Sequence, residues 1–180
     1  MNILIVNGSP KGKYSITLQT VEYWKRIFPK ESFTVLHAGQ TIRSLEKDFT
    51  KARDMLNVAD AIIFSYPVYT FVAPCQLHRF IELLKADGVD ISGKFATQIT
   101  TSKHFYDITA HRYIEDNCRD LGLKFVKGLS ADMDDLLTDK GREEAEKFFG
   151  HFLWCCENEI YEHYVPRPSC YNQEIGRAHV

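Results

Sequence analysis

The sequence predicts an open parallel α/β sheet that carries helices on both faces. Five short apolar runs, each followed by a stretch with helical periodicity, alternate along most of the 180 residues. The runs are apolar throughout, as is typical of strands that are buried on both faces of a parallel sheet. Because crossovers between parallel strands are right-handed, five such units in succession place helices on both sides of the sheet.

The strands are predicted from apolar runs that end in turn residues. The first run, NILIVN at 2–7, ends at once in Gly8-Ser9-Pro10, and the second, FTVLH at 33–37, is expected to stop at Gly39. The third run, AIIFS at 61–65, has the composition of a central strand. The fourth and fifth strands are expected at 94–101 and 123–127.

Helical spacing of apolar residues predicts the intervening helices. The first covers 15–28 and is closed by Pro29, and the second lies around 49–57. The third begins at Pro74 and ends before Gly88, because proline suits a first helical turn and glycine the position after a last one. The fourth is marked by apolar residues over 108–121, and the last begins near Thr138. Residues 1–164 then form one domain, and 165–180, with two prolines, form a tail or linker.

Composition excludes several classes of partner and site. The net charge of −2 gives no electrostatic reason to expect nucleic acid or an anionic membrane as a partner. No apolar run approaches the roughly 18 residues that span a bilayer, and no basic region precedes the first strand as in a signal peptide. We therefore expect a cytoplasmic protein. The five cysteines form no C-x-x-C pair, so no zinc or iron–sulfur site is predicted.

The loop after the first strand has the composition of a phosphate cradle. It is rich in small and hydroxylated residues (Ser9, Ser15 and Thr17) and runs into a helix N-terminus, where free amides and the helix dipole favour an anion. A nucleotide-binding P-loop is excluded, because three residues rather than four separate Gly8 from Gly12, and a tyrosine follows Lys13. The alternative is that Ser15 is only a helix N-cap and that the glycines only turn the chain.

Two further loops follow strands that end at the same edge of the sheet, where open α/β sheets bind ligands. The first, at 66–74, carries the aromatic residues Tyr66, Tyr69 and Phe71, which suit a flat ligand or could pack the loop onto its own helix. The second, at 101–107, combines hydroxyls, aromatic residues and His104, which is either a ligand contact or a surface residue. A phosphate cradle beside two such loops fits FMN, with its isoalloxazine ring between them.

The same segments resemble the NADPH-dependent FMN reductase family. The run from Asn7 to Thr17 resembles that family's G-S-P-R…S-N-T phosphate loop, with Lys11 in place of arginine and Ile16 in place of asparagine. ADAIIFSYPVY at 59–69, followed by LHRFIE at 77–82, is similar to its A-D-A-I-I-F…P-x-Y…L-K-x-F-I-D segment. Gly93-Lys94 through Thr101 is similar to its fourth strand. The match covers about residues 1–127.

The resemblance implies a flavodoxin-like, doubly wound, five-stranded parallel sheet of order 2-1-3-4-5. It also implies an oxidoreductase that passes electrons from NAD(P)H through bound FMN to a quinone, a flavin or another small-molecule acceptor, commonly as a homodimer whose neighbouring subunit completes the pocket. No side chain is needed as an acid or base. The residues expected to hold FMN are Ser9, Lys11, Ser15, Ile16 and Thr17 at the phosphate, Pro67, Val68, Tyr69 and Thr70 along the ring, and Thr101, Ser102 and His104 opposite.

Three alternatives remain open at this stage. The chain could be a flavodoxin-type electron-transfer module that does not itself oxidise NAD(P)H, although single-purpose flavodoxins tend to be more acidic than −2. It could also be a flavin-free interaction domain, or a fragment of a larger redox protein. Asp132, Asp134 and Asp135 could hold a metal ion, but an acidic stretch before a helix is more often its solvated start.

Overall fold

A computed structural model describes residues 1–102 and 107–163 of the chain. Parallel strands form one sheet in the order β2-β1-β3-β4-β5, with a sixth strand paired to β4. The predicted strand order and the doubly wound architecture are confirmed, and the sixth strand is an addition to the expected five. The strands are β1 (Asn2–Asn7), β2 (Ser32–Leu36), β3 (Ala61–Pro67), β4 (Phe95–Ser102), β5 (Lys124–Phe125) and β6 (Leu129–Asp132).

The fifth strand position is shared by two short strands, which corrects the prediction of one strand over 123–127. β5 pairs only with Phe95 and Ala96 at the start of β4. The chain then leaves the ladder, and β6 pairs with the end of β4, from Ile99 to Ser102. The break falls between the end of β5 at Phe125 and the start of β6 at Leu129.

In the described part of the chain, six α-helices cover the two faces of the sheet. They are α1 (Ile16–Ile27), α2 (Ala38–Leu45), α3 (Thr50–Val58), α4 (Cys75–Asp87), α5 (Ile108–Asp120) and α6 (Asp139–Glu157). Five of them match predicted helices to within a few residues, whereas α2 is not predicted, because in the sequence Gly39 indicates only the end of a strand. Helices α1 and α6 pack on one face of the sheet, and α2 to α5 pack on the other.

The α1–α6 face is held together by aromatic residues. Trp24 is fully buried and stacks on Phe149, with ring centroids 4.7 Å apart. Its indole Nε1 donates a hydrogen bond to the carbonyl of Ala145 at 2.9 Å, so the buried polar atom is satisfied. Helical spacing places Cys156 on the apolar face of the last helix, whereas the structure buries Cys155 together with Ala145, Phe149 and Phe152.

Strand direction brings three loops together. Because the strands are parallel, the ends of β1, β3 and β4 lie at one edge of the sheet, where Asn7 pairs with Ser65 and Pro67 with Thr101. The tail predicted at 165–180 lies outside the described residues, as does His104. None of the helices in the described part of the chain combines the length and the apolar character needed to cross a membrane.

Candidate functional site

The loop between β1 and α1 is shaped by Asn7, the last residue of β1. Its buried side-chain Nδ2 donates to the carbonyl of Gly12 at 2.8 Å and lies 3.1 Å from Nδ1 of His37. Its Oδ1 accepts from the amide of Ser9 at 3.1 Å. Burial lowers the pKa of His37, so its ring is neutral near pH 7 and can accept from Nδ2. Asn7 therefore fixes the path of the loop, a role that its place before Gly8 could have suggested.

Helix α2 closes one side of this loop. A Cβ at Gly39 would lie 2.3 Å from the carbonyl oxygen of Gly8, so only glycine permits this approach of the two backbones. Gly12, with a φ of 55°, turns the chain beside the side chain of Gln40. The loop therefore packs between α2 and the sheet, and it leads into the N-terminus of α1.

At the N-terminus of α1, several hydrogen-bond donors lack a partner among the described residues. Ser15 is the N-cap residue, yet its side chain makes no capping hydrogen bond. Its Oγ is buried and has no hydrogen-bond partner among the residues that the structure describes. The amides of Ile16, Thr17 and Leu18 have no carbonyl partner within the helix, because the first turn never provides one. Ser15 is thus the N-cap residue of α1 by position, but its side chain does not cap the helix among the described residues.

These residues fit a phosphate group. A buried hydroxyl without a partner and three first-turn amides at the positive end of a twelve-residue helix form an anion site. Ser9 is also buried, but its Oγ already accepts from the amide of Lys11 at 3.3 Å, so its first role is to hold the loop. Lys11 and Lys13 are exposed and add positive charge nearby.

Thr101 connects all three loops of the site. Its Oγ1 lies 2.6 Å from Oγ1 of Thr17 in α1, with both side chains buried. Its carbonyl accepts from the amide of Val68 at 3.0 Å, which ties the end of β3 to the end of β4. Thr101 thus connects Thr17 of the first loop with Val68 of the second. Ser102 ends β4 and is partly exposed.

The loop after β3 makes a tight, strained turn. The amide and carbonyl of Tyr69 bond those of Val72 at 3.0 and 3.2 Å, and both central residues have positive φ, 45° at Thr70 and 75° at Phe71. Side chains other than glycine rarely adopt this conformation, which costs on the order of 1–3 kcal/mol per residue and is typical of functional sites. Tyr69 and Phe71 are 44% and 48% exposed.

Tyr66 does not belong to this exposed group, which corrects the prediction of three aromatic residues on the loop. It lies within β3, is fully buried, and donates from its hydroxyl to Oε1 of Gln98 at 2.6 Å. Burial raises its pKa well above the ordinary value. Strand β3 extends two residues beyond the predicted end, and Tyr66 therefore points into the core on the side of Phe64.

The end of β4 is also held by a polar cluster that sequence reasoning missed. His111 of α5 has its Nε2 2.8 Å from Oγ1 of Thr100 and 3.4 Å from a carboxylate oxygen of Asp107. Ser130 of β6 donates to the same carboxylate. Burial lowers the pKa of His111, and the nearby Asp107 opposes that shift in part. The cluster joins α5, β4 and β6 beside Thr101.

The environments of the acidic residues at 132–135 and of the cysteines indicate structural roles. The Asp135 carboxylate accepts from the amide of Asp132 at 2.7 Å, and no group of metal-ligating side chains occurs among the described residues. The four described cysteines are free thiols. Burial raises the pKa of Cys156 to about 12, and that of Cys118 is raised further. Neither thiol is therefore a reactive nucleophile.

A protein-family model described as a flavodoxin-like fold matches residues 1–146. The chain belongs to this family. The match covers all three loops of the candidate site and agrees with the resemblance to NADPH-dependent FMN reductases. Comparison with curated protein sequences finds no match.

Solved structures with the same flavodoxin-like fold include several reductases. An NADH:FMN oxidoreductase in its apo form is 19% identical, with a TM-score of 0.70 over 84% of this chain and 87% of that one. An FMN-dependent NADH-azoreductase from Bacillus anthracis, in complex with FMN, is 13% identical, with a TM-score of 0.63 over 83% and 98%. An NAD(P)H:quinone oxidoreductase from Methanothermobacter marburgensis is 14% identical, with a TM-score of 0.63 over 92% and 99%. At these identities the likeness is one of fold.

Proposed function

We propose that this chain binds FMN and is an oxidoreductase that passes electrons from NAD(P)H through FMN to a small-molecule acceptor. The proposal rests on the hydroxyl of Ser15, which is buried at the N-terminus of α1 and has no partner in residues 1–102 and 107–163. Folding removes this hydroxyl from water without giving it a partner among the described residues. Such a group costs about 1–3 kcal/mol unless a ligand satisfies it. The phosphate of FMN has the charge and the acceptor oxygens to do so.

The other residues around this phosphate position have separate roles in binding the cofactor. Thr17 and Thr101, joined through their hydroxyl groups, would support the cofactor, and Lys11 would contribute positive charge from the surface. Pro67, Val68, Tyr69 and Thr70 form the wall along the ring, held in place by the Tyr69–Val72 turn and the Val68–Thr101 hydrogen bond. FMN itself supplies the capacity to accept a hydride from NAD(P)H and to release two electrons, so the chain needs to bind, orient and shield.

Similar structures support the same reaction class. Three structural neighbours are reductases named for NADH or NAD(P)H, and two of these are also named for FMN. Their acceptors differ, being an azo compound, FMN and a quinone, and the proposal is therefore limited to a small-molecule acceptor, with quinones and flavins as the first to test. Because the reaction draws on intracellular NAD(P)H, a cytoplasmic location remains our prediction.

We further propose that the functional unit is a homodimer. Tyr69, Phe71 and Val72 form an apolar tip at the ligand-binding edge of the sheet, each more than 40% exposed. Ile108, at the start of α5, is 60% exposed at the same edge. A second subunit seated on this tip would bury it and cover the open side of the flavin ring.

The proposal is tested by titrating the apoprotein with FMN and with riboflavin while following flavin fluorescence. Two or more charge-assisted hydrogen bonds to the phosphate, at about 1.5–3 kcal/mol each, should make FMN bind at least ~100-fold more tightly. Equal affinities would refute the phosphate site. Anaerobic addition of NADH or NADPH to the FMN complex should then bleach the flavin absorption.

The alternative is a flavodoxin-type electron carrier without its own NAD(P)H oxidation. A flavodoxin from the domain Archaea is also similar in fold, with a TM-score of 0.61 at 15% identity. The carrier would bind FMN as described but would leave the flavin oxidised in the presence of either nucleotide. Steady-state NAD(P)H oxidation therefore separates the two functions.

A further inference from the structure

A cavity of about 390 Å³ lies between α1 and the start of α6, on one face of the sheet. We call it the α1–α6 cavity. Its volume is in the usual range of small-molecule sites. One wall is α1, the floor is the end of β4 with β6, and the other wall is the segment 133–137 with the start of α6. Its apolar lining includes Ile16, Leu129, Ala131, Met133, Leu136 and Leu137.

The wall opposite α1 is held in place by the protein itself. The amide of Asp132 donates to the carboxylate of Asp135 at 2.7 Å, and Arg142 donates to the carbonyl of Leu136 at 2.8 Å. A Cβ at Gly141, near the start of α6, would lie 2.1 Å from the carbonyl oxygen of Asp135, so helix and segment are in backbone contact. The cavity is therefore largely preformed, as is usual for small-molecule sites.

Apolar side chains remain exposed where the cavity opens. Leu137 is 79% exposed, and Ile16, on the opposite wall, is 44% exposed. Exposed apolar side chains grouped around a concave surface are typical of a binding surface. A molecule filling the cavity would cover both residues, so burial of apolar area is the main attraction that the cavity offers.

The glutamates at the rim of the cavity already have cationic partners. Glu22 pairs with Lys25 at 2.7 Å, and Glu144 pairs with Lys140 at 3.7 Å. Both pairs are partly exposed to water, which screens them. Neither glutamate is therefore an unpaired charge to which a ligand could bind.

The remaining charged groups of the lining also favour a neutral ligand. Asp135 accepts from the amide of Asp132, and Asp132 itself has a partner. Arg26 is exposed, so an anion would gain little from its hydrated guanidinium. A charged ligand would lose its own hydration among the apolar side chains, which is costly without a close partner of opposite charge.

The cavity and the candidate FMN site share two residues, Ile16 and Thr101. The side chain of Ile16 lines the cavity, whereas its backbone amide is one of the first-turn donors expected at the phosphate. Thr101 contacts the hydroxyl of Thr17 in the same turn. A ligand packed against these residues holds the turn that the phosphate needs, so the second ligand to bind has less ordering to impose.

We propose that the α1–α6 cavity binds a neutral, largely apolar molecule and that this molecule strengthens FMN binding. The second half of the inference rests on the proposed function, since it takes FMN as the cofactor. The bound molecule is an effector rather than a reactant, because the cavity meets the FMN site at its phosphate end. Linkage then requires FMN to strengthen binding of the effector by the same factor.

The binding test uses the full chain and three two-ring probes of similar size: neutral naphthol, anionic naphthoate and cationic naphthylmethylammonium. Isothermal titration calorimetry should find naphthol bound at least about tenfold more tightly than either charged probe. Saturating FMN should tighten naphthol binding about fivefold or more, and naphthol should tighten FMN binding by the same factor. Tighter binding of a charged probe, or a naphthol affinity that is the same with and without FMN, would overturn the inference.

Two variants test the position of the site. Leu137→Ser removes an exposed apolar contact and should weaken naphthol binding about 3- to 10-fold. Its matched control is Val58→Ser, which alters a side chain that is 71% exposed and does not line the cavity, and which should bind naphthol like the wild type. Ala131→Phe fills the cavity and should abolish naphthol binding while FMN still binds.

Folding of Ala131→Phe is checked by circular dichroism, and Leu137→Ser decides the matter if Ala131→Phe is unfolded. Naphthol binding that is indifferent to these variants would overturn the inference. Failure of the proposed function is recognised separately: FMN would then not bind to the wild type, whereas naphthol binding to the apoprotein would still decide whether the cavity is a site.

Discussion

Three buried hydroxyl groups near the N-terminus of α1 differ in the partners that the fold gives them. Ser9 accepts from a backbone amide, and Thr17 contacts Thr101. Ser15 alone of these three has no partner among residues 1–102 and 107–163. Two of the hydroxyls therefore build the site, and the third remains available to a ligand. Sequence composition indicated all three as phosphate contacts but could not distinguish these roles.

Replacing Ser15 with Ala should weaken FMN binding without weakening the fold. One charge-assisted hydrogen bond is lost, so the dissociation constant should rise about 10- to 100-fold. Riboflavin, which lacks the phosphate, should bind unchanged. The free energy of unfolding of the apoprotein should stay unchanged or rise by up to about 1–3 kcal/mol, because Oγ of Ser15 is buried without a partner among the described residues. Ser44→Ala, on the exposed surface of α2, is the control. Equal weakening of both flavins would contradict the assignment.

We expect substitutions of Tyr66 and Tyr69 to have opposite effects on apoprotein stability and on flavin chemistry. Tyr69→Ala should leave apoprotein stability within about 1 kcal/mol, because the side chain is half exposed, but should lower FMN affinity or the rate of flavin reduction. Tyr66→Phe should cost about 1–3 kcal/mol of stability, because Oε1 of Gln98 loses its buried donor. Chemical denaturation and anaerobic stopped-flow reduction measure both. A large stability loss in Tyr69→Ala with unchanged flavin chemistry would remove Tyr69 from the site.

At the scale of elements, α2 and β6 are the parts that sequence patterning missed. Helix α2 spans only eight residues and begins directly after a strand, so its glycine was interpreted as a stop. That glycine is needed for the close approach to the loop after β1. β6 has four residues, none of which is fully buried, so no apolar run in the sequence predicts this strand. Long helices and buried strands were predicted because their periodicity is strong, whereas these two elements depend on contacts distant in sequence.

Gly39→Ala tests whether α2 shapes the phosphate loop. The new methyl group would meet the Gly8 backbone at 2.3 Å, so α2 or the loop must move. We expect a loss of about 1–3 kcal/mol in unfolding free energy and a weaker affinity for FMN. Gly150→Ala in α6 is the matched control, because nothing lies within 4 Å of its added methyl group. It should raise stability by about 0.5–1 kcal/mol and leave FMN binding unchanged. Unchanged FMN affinity in Gly39→Ala would separate α2 from the site.

At the scale of the whole molecule, the alternation of strands and helices predicts the sheet order. The sheet order in turn determines the edge where the loops meet. The cavity of about 390 Å³ between α1 and the start of α6 could not be predicted in this way. Its lining runs from Ile16 to Ala145, and no local pattern links such distant residues. The same holds for the proposed partner surface, since Tyr69, Phe71 and Val72 become an exposed tip only through the strained turn.

The dimer is the prediction that belongs to this largest scale. If a second subunit covers the apolar tip, sedimentation equilibrium of the FMN complex should give the mass of a dimer. Replacing Phe71 and Val72 with Ser should shift it to a monomer, because the change removes apolar area from the interface. The control is Trp154→Ser, which alters a half-exposed aromatic residue on the outer face of α6 and should leave the dimer intact. Dilution supplies an independent measurement: turnover per subunit should fall as the dimer dissociates, since the open side of the ring loses its cover. A wild-type monomer that keeps its full rate on dilution would refute the dimer, and the tip would then serve the flavin of its own subunit alone.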